Sequence, residues 1–198
     1  MRRDVGIFIG VTAAIAAVAA ALGFNRASVA GNKPMAEAVD WSKLSEFYTW
    51  DQVSASQTAA ANNINNTVPQ FARQNAQMLA QLTLDMITFF LRVIDPTALL
   101  TIQSWYRSPD LNTAVGGSES SDHMDGAAAD INYSGGNDQI LRQIYLAYIP
   151  FDQLIIYPNY IHISYDPTKT SSEQKREVLR KEGNGYTNLG YGYLGTFA

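Results

Sequence analysis

IQSWYRSPDLNTAVGGSESSDHMDGAAADI (residues 102–131), followed downstream by FDQLIIYPNYIHISY (151–165), decides how this 198-residue chain is read. Leu99 to Ser104 and Ala128 to Tyr133 are short apolar runs of strand length. Between them, Arg107 to Asp122 is rich in Gly, Ser, Asn and Asp, which predicts a loop with room for one helical turn. Gln153 to Tyr157 and Tyr160 to Tyr165 are β-branched and aromatic runs around Pro158-Asn159, the pattern of a hairpin. Upstream, Thr67 can cap a helix with Pro69 in its first turn. Phe71, Met78, Leu82, Met86, Phe89, Phe90 and Val93 then recur at helical spacing up to Asp95-Pro96. Asn137 or Asp138 caps a second helix, with Ile140, Leu141, Ile144, Tyr145 and Tyr148 on its apolar face. Ser172 to Lys181 reads as a short charged helix, and Gly183 to Ala198 has no clear period. Trp41 to Asn66 reads as short helical turns packed by aromatics. Helices and strands do not alternate as βαβ units, so the fold class is α+β.

Composition narrows the function. Hydrophobic residues make up 46% of the chain and charged residues 16%, enough for a real core and too few charges for bulk disorder. A net charge of −4 argues against a general nucleic-acid binder. There is no cysteine, which removes disulfide scaffolds, thiolate metal sites and cysteine nucleophiles. A metal site would have to use His, Asp and Glu, and there are only 2 histidines.

Arg2 and Arg3 precede the uncharged run VGIFIGVTAAIAAVAAALGF from Val5 to Phe24. As a helix it would reach about 30 Å, the thickness of a bilayer core. It reads either as a cleaved export signal, with Ser28-Val29-Ala30 as a small-residue site, or as an uncleaved anchor. Both place the rest of the chain on or beyond the membrane, in an extracytoplasmic location. The expected organisation is a signal or anchor at 1–24, a polar linker at 25–40 and one domain at 41–198.

Both histidines fall near candidate partners. His123 lies in the loop SSDHMDGAAADI, with Asp130 seven residues on at the start of a strand. In YIHISY, alternation puts Tyr160, His162 and Ser164 on one face and Ile161, Ile163 and Tyr165 on the other. If the isoleucines face the core, His162 points into a cleft. Two histidines and one aspartate suit a zinc site with an open fourth position, where the metal would acidify water and polarise a carbonyl. The small run Gly126-Ala127-Ala128-Ala129 would let backbone pass close to the metal. The alternative is two ordinary hydrogen-bonded histidines. Arg107 stands just past a strand, and could clamp a substrate carboxylate or could serve its own loop by bonding carbonyls or Asp110.

Taken together, these segments resemble the zinc D-Ala-D-Ala carboxypeptidases of the hedgehog/DD-peptidase fold, especially the small phage and bacterial branch. Ser104, Tyr106, Arg107, Ser108, Leu111, Asn112, Gly116, Gly117, Ser121, His123, Gly126, Ala128 and Asp130 fall on that family's signature. FDQLI and the following His strand resemble its closing element, and the likeness runs from about Leu44 to Tyr165. The resemblance implies an antiparallel sheet flanked by helices, zinc held by His123, Asp130 and His162, Arg107 facing substrate, and a substrate in the peptide part of peptidoglycan. One position departs. Where the family commonly has the glutamate that activates the zinc water, this chain has Tyr157; three residues before the second histidine it has Asn159. Asp125 and Asp152 lie nearby in sequence. The expected activity is therefore a zinc peptidase cutting D-Ala-containing bonds, as carboxypeptidase or endopeptidase. The alternative is a wall-binding or structural protein with a degenerate site at Tyr157.

Overall fold

The computed structural model describes residues 43–197; the apolar run at 5–24 and the linker at 25–40 lie outside the described residues. Two short helices come first, α1 (Trp50–Ser54) and α2 (Gln57–Ala61). The long helix then runs through α3 (Gln70–Leu79), a π-helical turn at Ala80–Leu84 and α4 (Asp85–Ile94). Pro69 sits at its N-cap position. Thr67, expected there, turns its amide and hydroxyl to Asn65 Oδ1 instead.

The buried face of this helix only partly follows its large apolar residues: Met78, Leu82, Met86 and Phe90 pack against the core without being fully buried. Ala72, Ala76, Leu79, Leu84, Ile87 and Leu91 are buried, while Phe71 is 55% and Val93 70% exposed. The π turn carries an extra residue per turn, which resets the phase of the apolar stripe between α3 and α4. At Ala72 the backbone of another segment passes close to the helix. A side chain at Gly126 would collide with the carbonyl oxygen of Ala72, and Gly126 also has φ +73°, a conformation that favours glycine.

The remaining elements are β1 (Thr101–Ser104), α5 (Pro109–Ala114), β2 (Ala128–Asn132), α6 (Asn137–Leu146), β3 (Gln153–Ile156), β4 (Ile161–Ser164), β5 (Glu177–Glu182) and β6 (Gly185–Asn188), then a 3-10 segment at Tyr191–Phe197. Gly136, not Asn137 or Asp138, holds the N-cap position of α6. Asn137 Oδ1 accepts the Tyr133 amide. Ile140, Leu141 and Ile144 are buried as expected, whereas Tyr148 lies past the helix end and is 43% exposed. The strands form a single six-stranded sheet in the order β1-β2-β4-β3-β5-β6. It is α+β, but not wholly antiparallel, because β3 and β5 run parallel. The segment read as a charged helix at 172–181 is instead a turn followed by β5. Val178 decides this: it is fully buried opposite Leu154, which anchors the segment to the open edge of β3. β6 completes a hairpin with β5 in the tail that showed no period.

Register then separates two faces. Ala129, Ile163, Leu154 and Val178 stand in one cross-strand row and belong to the core. Asp130, His162, Ile155 and Leu179 form the next row, whose side chains point to the opposite face and line a cleft.

Candidate metal centre

Three strands and one loop bring the site together. Asp130 on β2 is paired directly with His162 on β4. Ile161 and Ile163 are fully buried, so His162 faces the cleft as alternation requires. His123 is carried by the loop before β2, which two hydrogen bonds hold in place: Arg107 N–H to the His123 carbonyl (3.1 Å) and Trp105 Nε1–H to the Gly126 carbonyl (3.1 Å). β1 carries a bulge between Ile102 and Ser104, which realigns Ser104 opposite Asp130 just before Arg107.

The histidine tautomer follows from its partners. His123 Nδ1 lies 2.6 Å from the Trp105 carbonyl oxygen, which can only accept, so Nδ1 carries the proton and Nε2 presents a lone pair. That lone pair faces Asp130 Oδ1 at 3.2 Å and His162 Nδ1 at 3.2 Å; His162 Nδ1 lies 2.9 Å from the same carboxylate oxygen. Burial lowers the His123 pKa, which opposes a second proton on the ring. Burial alone would raise Asp130, but its hydrogen bonds to His123 and His162 outweigh that and hold it well below the usual carboxylate range. One proton on His162 satisfies its contact with Asp130 and leaves the His123 lone pair unmatched. A cation between the three atoms satisfies all of them. Ligands about 2.0–2.1 Å from a tetrahedral zinc stand roughly 3.3 Å apart, and the separations of 2.9–3.2 Å fit that set. These three residues are the group able to hold a metal among the described residues. The donor set also suits zinc, with two imidazoles, one carboxylate and outer partners on His123 and Asp130.

Arg107 is one of those outer partners. Its Nη2 donates to Asp130 Oδ2 at 2.6 Å and its Nε to Ser104 Oγ at 2.9 Å. It therefore orients a ligand rather than bonding Asp110, and these two bonds leave other N–H groups of the guanidinium unused. The cleft, about 910 Å³, is lined by Arg107, His123, Asp130, Tyr157, Tyr160 and His162 among others.

The two carboxylates nearby in sequence, Asp152 and Asp125, both border the cleft. Asp152 lines the cleft but is bound by Lys169 (2.9 Å) and Lys175 (3.2 Å). Burial pushes its carboxyl up, and the Lys169 and Lys175 bonds more than reverse that, so it sits below its ordinary value. Asp125 lines the cleft near Asn75, which donates to its backbone carbonyl. Tyr157 stands in the cleft with its hydroxyl 3.2 Å from that of Tyr186 and its ring stacked on Tyr160. Burial first, then the Tyr186 hydrogen bond and the charge of Asp130, push its phenol above the ordinary value.

Some residues that hold the site in place left no signal in the sequence. Trp105 supplies the carbonyl that fixes His123. Asn66 ties the Arg107 segment down by donating to the Tyr106 carbonyl (3.0 Å) and accepting the Ser108 amide (2.8 Å). Backbone carbonyls and amides carry no residue code, so no spacing rule could find these contacts. Ser164, by contrast, was placed on the His162 face by alternation. Its hydroxyl is buried without a hydrogen-bond partner and borders the cleft.

The profile of the family described as Peptidase M15 matches residues 49–164, more than half of the chain, and the match includes Arg107, His123, Asp130, Tyr157 and His162. No curated protein matches the chain.

Proposed function

The chain belongs to the Peptidase M15 family, the zinc D-Ala-D-Ala carboxypeptidases, and from that premise we propose that it is a zinc-dependent peptidase acting on D-Ala-containing bonds in the peptide part of peptidoglycan. The observation that carries the reading is the convergence of His123 Nε2, Asp130 Oδ1 and His162 Nδ1 in the wall of a cleft of about 910 Å³. Zinc, when bound, supplies Lewis-acid polarisation of a carbonyl and water acidic enough to attack near neutral pH. His123, Asp130 and His162 hold the ion. The Trp105 carbonyl keeps His123 in the metal-binding tautomer, and Arg107 keeps Asp130 turned toward it. The unused N–H groups of Arg107 offer a bidentate partner for a peptide carboxylate. Residues 5–24 take the domain to or across the membrane, where peptidoglycan lies.

Tyr157 favours a second reading, a protein that binds peptidoglycan without turning it over. A raised phenol pKa makes Tyr157 a poor proton acceptor. The deciding experiment incubates the zinc-replete full chain with purified peptidoglycan, with metal analysis alongside and product masses as the readout. One zinc per chain with release of D-Ala or opened cross-links supports the peptidase. One zinc per chain and peptidoglycan binding without products supports the second reading. Zinc far below one per chain, unaltered by His123→Ala, refutes both.

A further inference from the structure

The family match ends at residue 164, yet the cleft does not. The β5–β6 hairpin, residues 177–188, follows the matched region and joins the sheet through the parallel pair with β3. It continues the row of cleft residues beyond His162: Ile155 pairs with His162 on one side and Leu179 on the other. Leu179 and Ile155 give that stretch an apolar floor. Its wall is aromatic. Tyr157 and Tyr160 are stacked with ring centres 4.4 Å apart and an interplanar angle of 10°. The Tyr157 hydroxyl meets that of Tyr186 on β6, and Lys181 Nζ lies 4.3 Å from the centre of the Tyr186 ring. Tyr186 is 52% exposed and stands with Tyr157 and Tyr160 in the lining of the cleft, so the three rings form one accessible aromatic patch. The residue that departs from the family pattern at 157 is thus partnered by a residue from outside the family region.

The order of strands gives the wall a direction. Arg107 follows β1, Asp130 and His162 stand on β2 and β4 with His123 in the loop before β2, and the aromatic wall lies toward β3, β5 and β6. A peptide carboxylate held at Arg107 sends the chain on the other side of the scissile bond toward the hairpin. From β4 to β6 is three strand spacings, about 14 Å, and an extended peptide advances about 3.3 Å per residue. That span holds about four residues.

Resting on the peptidase reading above, we infer that the β5–β6 hairpin and Tyr157 form a subsite for the acyl-side chain of the substrate. The protein then selects peptides extending three or more residues before the scissile bond over a bare dipeptide. Tyr157 is retained for its ring, as part of the wall.

The test measures binding separately from turnover. Two N-acetylated peptides ending in D-Ala-D-Ala, one a dipeptide and one a pentapeptide, are made with the terminal amide N-methylated so that it is not cleaved. Their affinities for the zinc-loaded full chain are measured by calorimetry. The wild type binds the pentapeptide at least about tenfold more tightly, the order expected of aromatic and apolar contacts over several residues. Tyr186→Ala, at an exposed position that a fold check by circular dichroism will clear, brings that ratio near one, and Leu179→Asn lowers it. Thr187→Ala, the neighbouring residue on β6, keeps it. Equal affinity for the two peptides in the wild type overturns the inference. So does a ratio that survives Tyr186→Ala, or one that Thr187→Ala abolishes equally. Cleavage of the unmethylated pentapeptide is scored independently: no cleavage with the binding preference intact removes the peptidase reading and leaves the subsite standing.

Discussion

Arg107→Met removes a cation while keeping much of the side chain's length, and its effect can be worked from the contacts it breaks. Arg107 reaches Asp130 Oδ2 at 2.6 Å, and the side chains are 16% and 9% exposed, so bulk water does little to replace the bond. A hydrogen bond to a charged group is worth about 1.5–3 kcal/mol net. The carboxylate has one oxygen on Arg107 and the other on both imidazoles, so losing the first frees it to rotate away from the second. Outer partners of this kind typically hold about 10–100-fold in metal affinity, which converts to about 1.4–2.8 kcal/mol and agrees with the direct estimate. The expected result is zinc affinity reduced by that factor, read by competition with a chromophoric chelator at pH 7.5. Denaturant unfolding of the metal-free protein should show a loss of similar size. Arg107→Lys should fall between, because one ammonium cannot copy the fork that spans Ser104 and Asp130. Zinc affinity and stability both unchanged in Arg107→Met would refute the reasoning and leave Arg107 to substrate alone.

Other outcomes follow from the same contacts. Tyr157→Glu should raise the turnover number by about 10²–10⁴-fold if position 157 is a vacant base position, whereas Tyr157→Phe should change it little; steady-state kinetics on a D-Ala-D-Ala pentapeptide decides, and a turnover number abolished by Tyr157→Phe would make the phenol a working group. Asp152→Asn should lower stability near neutral pH, because the lysines hold the folded-state carboxyl below its unfolded value. A depressed folded pKa contributes stability above the unfolded pKa, so the gap between variant and wild type should close as pH falls below about 4, and a gap constant down to pH 2 in denaturant titrations would contradict the pairing. Gly126→Ala should cost about 1–3 kcal/mol from the left-handed φ alone, with a further loss from the collision with Ala72, and unfolding within 0.5 kcal/mol of wild type in the same titrations would show the backbone free to move.

The candidate ligands were legible because their signals are local. His162 follows from alternation in a six-residue run, and Asp130 from its place at the start of a strand. What remained hidden depended on pairing between distant segments. β5 was mistaken for a helix because EVLRKE carries charges at helical spacing, and only the open edge of β3 makes it a strand. The large residues of the 70–94 helix point to the core because size is visible in sequence, and Met78, Leu82, Met86 and Phe90 do pack against it. The close passage of Gly126 over Ala72 is not visible there. Arg107 stands in the lining of the cleft, but its bond to Asp130 follows a bulge in β1 that no residue type announces.

The same register that makes the core also makes the site, and this sets how the two constrain each other. On β4 the core takes Ile161 and Ile163, both fully buried, while His162 between them takes the cleft. A one-residue slip against β2 would move every β4 side chain to the other face. It would expose two isoleucines, at roughly 1.5–3 kcal/mol each, and bury an imidazole without its partners. The strand is therefore held in register by apolar burial, and the histidine is delivered opposite Asp130 as a consequence. Apolar packing of β4 thus sets the pairing of His162 with Asp130. Position 157 is freer, because it lies just past the end of β3 and contributes no ligand atom to the metal group. A tyrosine stands there without disturbing the core, and its hydroxyl meets that of Tyr186 on the hairpin beyond the matched region.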